Sequence, residues 1–185
     1  MQSKKLRTFV SIALLSSLAF VLMLIKIPTP FSSFLTIDFS DIPALIAALL
    51  FGPISAIIVE VIKNILDYFI SGSETGIPIG HFANLLSGIF FVLPTYYVYK
   101  YNKTKRGMTI GLIVGTVILA ILMSVLNYFV ILPAYLALMH YELPKGYVIA
   151  AVLPFNILKG ISITILFMLL FVRLQNWLEK NSLVK

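Results

Sequence analysis

No cysteine occurs in the 185 residues, so a disulfide framework and a thiolate metal site are both excluded. Charge is also scarce. Charged residues make up 11% of the chain, hydrophobic residues 60%, and the mean hydropathy is +1.03. A soluble domain of this length carries far more charge, and the composition points to a single membrane-embedded domain spanning 1–185. The phosphate-loop pattern GxxxxGK[ST] is missing, which rules out ATP hydrolysis by a P-loop. Neither HExxH nor GxSxG appears. No ligand cluster has metal spacing, and the two histidines, His81 and His140, stand 59 positions apart. There is no inverted repeat of broken helices with matching polar breaks, the usual mark of a secondary transporter.

What is present is long apolar runs. Six are found, at about 8–27, 41–52, 53–70, 80–99, 108–132 and 147–172. The first, in KKLRTFVSIALLSSLAFVLML, has the basic start of a signal peptide but no small-x-small cleavage site; Lys26 and Pro28 follow instead. It is expected to be a retained first helix. The second run is short for a span of ~20 residues. LIAALLFGPISAIIVEVIKNILDYF could therefore be one kinked helix, giving five spans. Charge favours six. With the N-terminus inside, the cytoplasmic pieces hold Lys4, Lys5, Arg7, Lys100, Lys103, Lys105, Arg106, Arg173, Lys180 and Lys185, ten of the fourteen basic residues. The outer pieces hold Asp38, Asp41, Asp67, Glu74 and Glu142, five of the seven acids. Five spans would place the basic 100–106 loop opposite the basic N-terminus, against the positive-inside rule. The expected fold class is thus an all-α integral membrane protein with six transmembrane helices and both termini cytoplasmic. The net charge of +7 is then a matter of topology, not of nucleic-acid binding. Phe51-Gly52-Pro53 is the tight inner turn.

The outer connections are longer than the inner ones: 27–40, 71–78 and 133–145. The first, IPTPFSSFLTIDFS, alternates apolar and polar residues after two prolines. Phe31, Phe34, Leu35, Ile37 and Phe39 would not be left in water. This long first extracellular loop is expected to act as a lid, or else to lie in the headgroup region.

Polar residues inside spans are costly and usually face a cavity, a partner or a substrate path. Glu60, Lys63, Asn64 and Asp67 follow i, i+3, i+4, i+7 spacing and share one helical face. Internal pairing, Glu60–Lys63 and Lys63–Asp67, would lower their cost. A second cluster is Asn127 with Asn156 and Lys159. Lys159 lies about 18 Å from the outer end of its helix and Glu60 about 10 Å from the inner end of its own. In a core about 30 Å thick these depths nearly match, so a Lys159–Glu60 ion pair is one reading. The other is a ligand site. Two carboxamides supply donors and acceptors and the ammonium supplies donors, an inventory suited to a flat molecule with alternating carbonyl and N–H groups. Tyr128, Phe129 and Phe155 would wall it, and Asn84 and His81 would extend its polar lining.

Small residues mark helix contacts. Gly107, Gly111 and Gly115 form a double GxxxG repeat, expected to pack against a helix of the same chain. Ala13 and Ser17 make a small-xxx-small pair on the first helix, a candidate contact for another protein.

Three stretches carry a resemblance: TIDFSDIPALIAALLFGPISAIIVEVIKNILDYF, GHFANLLSGIFFVLPTYYVYK and PFNILKG. With them the chain resembles, over nearly its whole length, the S components of bacterial energy-coupling factor (ECF) vitamin importers, in their riboflavin-specific branch. DFSDIPALIAALLFGP is the most specific part. The resemblance implies riboflavin as the transported ligand, held at the outer side between the first loop and helices four to six, with no cofactor and no enzyme activity. Asn127, Asn156 and Lys159 would bond the carbonyl and imide edge of the ring. Asn84, Tyr128, Phe155, Leu35 and Phe39 would complete the pocket. It also implies partners: a transmembrane coupling subunit and two cytoplasmic ATPases, with the protein toppling among the membrane lipids to release its load. The family's AxxxA contact pattern is matched at Ala13 and Ser17 with one departure, serine for alanine. Two rivals stand beside this reading. Lys159 would equally pair with a carboxylate such as biotin's, and Glu60 is available to a cationic vitamin such as thiamine. Alternatively, Glu60, Lys63 and Asp67 would be the acid–base groups of a membrane-embedded enzyme.

Overall fold

The protein is seen as a computed structural model that describes residues 2–73, 76–139, 144 and 146–183. The charges assigned above to Glu74, Glu142 and Lys185 lie outside them. The chain runs α1 (Gln2–Leu24), β1 (Ile27–Thr29), β2 (Ser32–Ile37), α2 (Asp41–Phe51), α3 (Pro53–Ser71), α4 (Ile79–Tyr101), α5 (Lys105–Leu126), α6 (Leu132–Met139) and α7 (Leu153–Asn181). Wide, π-helical turns at Asn127–Ile131 and Val148–Val152 lead into α6 and α7. Four of the described helical runs are long and apolar enough to cross a membrane: 5–24, 79–101, 105–138 and 148–181.

The short second run is a separate helix. Gly52, at φ 97°, adopts a conformation that glycine tolerates, and Pro53 starts the next helix where its missing N–H costs nothing. Asp41 lies eleven residues before Gly52 and Lys63 eleven after it. Their ion pair, at 2.5 Å, requires α2 and α3 to fold back on each other as a hairpin of helices. A single continuous helix would hold those residues up to about 33 Å apart.

α2 packs against α1, α3, α4 and α7. Nine of its eleven residues are buried, which explains a sequence that is apolar nearly all round. Ala44, Ala47 and Ala48, fully buried, keep its neighbours close. The double GxxxG repeat packs within the chain, as expected. A Cβ on Gly111 would meet the backbone oxygen of Thr95 at 2.7 Å, and one on Gly115 that of Phe91 at 2.7 Å, so α4 and α5 touch backbone to backbone. Gly107 plays a different part: its space is taken by Asn102, in the turn that starts α5.

Three expectations are corrected. The fold is mostly helical but not all-α, because the connection after α1 is an antiparallel β-hairpin pairing Ile27 with Ile37 and Pro28 with Thr36. Its alternation of apolar and polar residues has the period of a strand, and each strand is an edge, where a proline is tolerated. The connection expected at 133–145 is helical in its first part, since α6 continues to Met139. The last helix runs on to Asn181, well past 172. Both wide turns end one residue before a Leu-Pro pair, Leu132-Pro133 and Leu153-Pro154. A proline ring collides with the carbonyl four residues back, and widening the preceding turn relieves the collision without ending the helix.

Candidate functional site

A cavity of about 580 Å³ opens among the hairpin, α3, α4 and the two wide turns. That volume lies within the ~300–1,000 Å³ of small-molecule sites. Leu35 and Thr36 of β2 line one side, and Met123, Ile131, Leu132, Val152 and Phe155 supply apolar walls. Asn84, Asn127, Asn156 and Lys159 line it together, although 75 residues separate Asn84 from Lys159. Six of the eight residues proposed from the sequence for the ligand site thus meet in one cavity: Asn127, Asn156, Lys159, Asn84, Phe155 and Leu35.

The carboxamides are oriented by their own helices. Asn127 Nδ2 donates to the Met123 carbonyl and Asn156 Nδ2 to the Val152 carbonyl, both at 2.8 Å. Each bond assigns the amide's nitrogen to its helix and so leaves the oxygen on the other side. Among the described residues neither carboxamide oxygen has a hydrogen-bond donor. Each asparagine therefore presents to the cavity one acceptor and one remaining donor. Lys159, 2% exposed, sits beside Ser87 Oγ at 3.4 Å and Asp41 Oδ2 at 3.4 Å.

A buried polar network stands behind this wall. Lys63 Nζ contacts Asp41 Oδ1 at 2.5 Å, Ser40 Oγ at 2.7 Å and Glu60 Oε2 at 2.8 Å. Ser40 donates to Asp38 through both its N–H and its hydroxyl. Asn84 Nδ2 reaches Asp38 Oδ2, and Asn64 Nδ2 reaches Asn84 Oδ1, each at 3.4 Å. At the mouth, His81 Nε2 lies 3.0 Å from Asp67 Oδ2 and Lys26 Nζ 3.8 Å from the same oxygen. Ser71 Oγ donates to Asp67 Oδ1 at 2.7 Å. Lys26 precedes the hairpin, so this ion pair ties its base to α3 and α4. The arrangement can offer a ligand converging donors and acceptors at the bottom and a polar, ionic rim at the top.

Four expectations about side chains change. Lys159 pairs with Asp41, not with Glu60, because the α2–α3 hairpin brings the first turn of α2 to its depth. The Glu60–Lys63 pair forms as spaced, but Lys63–Asp67 does not: Lys63 turns to α2 and Asp67 to His81 and Lys26. Tyr128 and Phe129, 64% and 69% exposed, face outward onto a separate apolar groove with Ile149. Successive helical residues point about 100° apart, so turning Asn127 inward turns Tyr128 away. Phe39 packs against the hydrophobic core and does not line the cavity. Sequence reasoning missed Lys26, Asp38, Ser87, Tyr135 and Tyr147 of the lining. Ser87 had a signal, lying three residues after Asn84 on one helical face. Ala13 and Ser17 are exposed on α1, with Ser17 Oγ bonded to the Ala13 carbonyl at 3.0 Å.

Known proteins share this architecture. The ECF transporter, substrate-specific component, family matches residues 7–171. The chain belongs to that family. Its members are transporter components and not enzymes, and as one of them the chain is a multi-pass cell-membrane protein. It is 46% identical to the riboflavin transporter FmnP of Bacillus subtilis over 183 residues, 96% of each chain. It is 44% identical to the riboflavin transporter RibU of Staphylococcus aureus, covering 97% of this chain and 94% of that one. A solved S component of a bacterial ECF transporter superposes with a TM-score of 0.80 at 43% identity, over 96% of this chain and 99% of that one. The acid–base reading of Glu60, Lys63 and Asp67 loses its geometry as well, since Asp67 lines the cavity but Glu60 and Lys63 do not.

Proposed function

We propose that this chain is the riboflavin-binding subunit of an ECF importer, one domain over 1–185. It takes the vitamin from outside and works with a transmembrane coupling subunit and two cytoplasmic ATPases. The observation that carries this reading is the cavity floor: two carboxamide oxygens without donors among the described residues, beside a lysine, in a chain 44–46% identical to riboflavin transporters. The pyrimidine edge of the isoalloxazine ring alternates carbonyl, imide N–H and carbonyl. Asn127, Asn156 and Lys159 match it with acceptors for the N–H and donors for the carbonyls. Phe155 and Leu35 bury the ring's apolar part. The polyol chain points to the rim, where Asn84, His81 and Asp67 hold polar groups. Asp41 already compensates the charge of Lys159, which favours a neutral ring over a carboxylate such as biotin's.

In the membrane, α2 and α3 join the four long apolar runs to make six spans with both termini inside. The Ile27–Ile37 hairpin serves as lid, and exposed Ala13 and Ser17 face the coupling subunit. The test is direct. The protein is purified in detergent from cells given no added vitamin, its visible absorption is recorded, and the released molecule is weighed. A yellow protein releasing unmodified riboflavin is the expected outcome. A colourless protein that also fails to quench the fluorescence of added riboflavin refutes the proposal.

A further inference from the structure

Asp41 does not line the cavity, yet it lies directly behind the lysine that does. Its side chain is wholly buried at the first turn of α2. Oδ1 is taken by Lys63 Nζ at 2.5 Å, and Lys63 is itself fixed by Ser40 Oγ at 2.7 Å and Glu60 Oε2 at 2.8 Å. Oδ2 has no hydrogen bond among the described residues, and its neighbour is Lys159 Nζ at 3.4 Å. An ammonium has three donors. Lys159 Nζ gives one donor to Ser87 Oγ, also at 3.4 Å, and lies in ion-pair range of Asp41, so donors remain for the cavity it lines. Glu60 is the second carboxylate on Lys63, so Asp41 is not committed to Lys63 alone.

We infer that Asp41 is the positioning residue for ligand binding. Clamped by Lys63, its free oxygen holds the Lys159 ammonium at the cavity floor and cancels its charge. Lys159 then acts as an oriented donor to a neutral carbonyl and not as a free cation seeking an anion. This inference rests on the reading of Lys159 as a riboflavin contact, and Asp41 acts only through it.

A double-mutant cycle on the full-length protein separates the two, with riboflavin affinity read by fluorescence quenching. Asp41→Asn is expected to weaken binding about tenfold, within the coupling typical of neighbours in one network. In the Lys159→Met background the same change is expected to cost no further affinity. It also restores charge balance there, so the double variant should melt higher than Lys159→Met alone. An equal loss in both backgrounds, or no loss from Asp41→Asn in the parent, overturns the inference while leaving Lys159 as a contact. Unchanged affinity in Lys159→Met overturns both readings together. If Asp41→Asn does not fold, Asp41→Glu keeps the charge and moves the oxygen by one methylene, and the same pattern of losses is expected and decides in the same way.

Discussion

Lys63 offers the sharpest test of the buried network, because it never reaches the cavity. Its ammonium contacts Asp41, Ser40 and Glu60 within 2.8 Å, and its side chain has no exposed surface. Lys63→Met keeps the length and apolar stem and removes the charge. Glu60 then loses its only ion-pair partner among the described residues, and Asp41 keeps Lys159 alone at 3.4 Å. Removing one member of a buried ion pair costs roughly 3–5 kcal/mol, chiefly because the other charge stays buried and uncompensated. For a chain of this size that corresponds to a fall in Tm on the order of 10 °C. The assay is thermal unfolding of the detergent-purified protein. Adding Glu60→Gln removes the orphaned charge and leaves the Asp41–Lys159 pair intact, so the double variant should recover most of the loss. If Lys63→Met melted within about 2 °C of the parent, or if Glu60→Gln gave no recovery, the network would not be holding α2 against α3.

Other outcomes follow from single side chains. Lys159→Met should weaken riboflavin quenching by tenfold or more, since an unpaired buried group costs about 1–3 kcal/mol, while the protein stays folded. Tyr128→Ala should leave riboflavin affinity within about twofold of the parent by the same titration, because the ring faces away from the cavity. A Cβ on Gly88 would collide with the Glu60 carboxylate, so Gly88→Ala should lower thermal stability by about 1–3 kcal/mol, read by the same unfolding assay.

Much of the site was legible because membrane burial makes polarity conspicuous. Asn127, Asn156 and Lys159 stood out in apolar runs, and the structure brings them to one cavity. Spacing along one helix was reliable where both partners lay on it, as for Glu60 and Lys63 at i,i+3. It failed where a second helix competed. Lys63 passes over Asp67 for Asp41, which is 22 residues away in sequence and adjacent in space. The wide turns were written in the two Leu-Pro pairs, but proline alone does not say whether a helix stops or widens.

The sequence by itself determined the solvent, the helical runs, the Gly52-Pro53 turn and which polar residues must find partners, because each follows from local chemistry and from the cost of burial in hydrocarbon. The tertiary structure decided which partners they find. Lys159 answers to Asp41 because the chain reverses at Gly52 and α2 folds back on α3, setting its first turn beside Lys159 in a helix packed among α1, α3, α4 and α7. Ion pairing depends on a few ångströms of distance between separate helices, and only their packing fixes that distance.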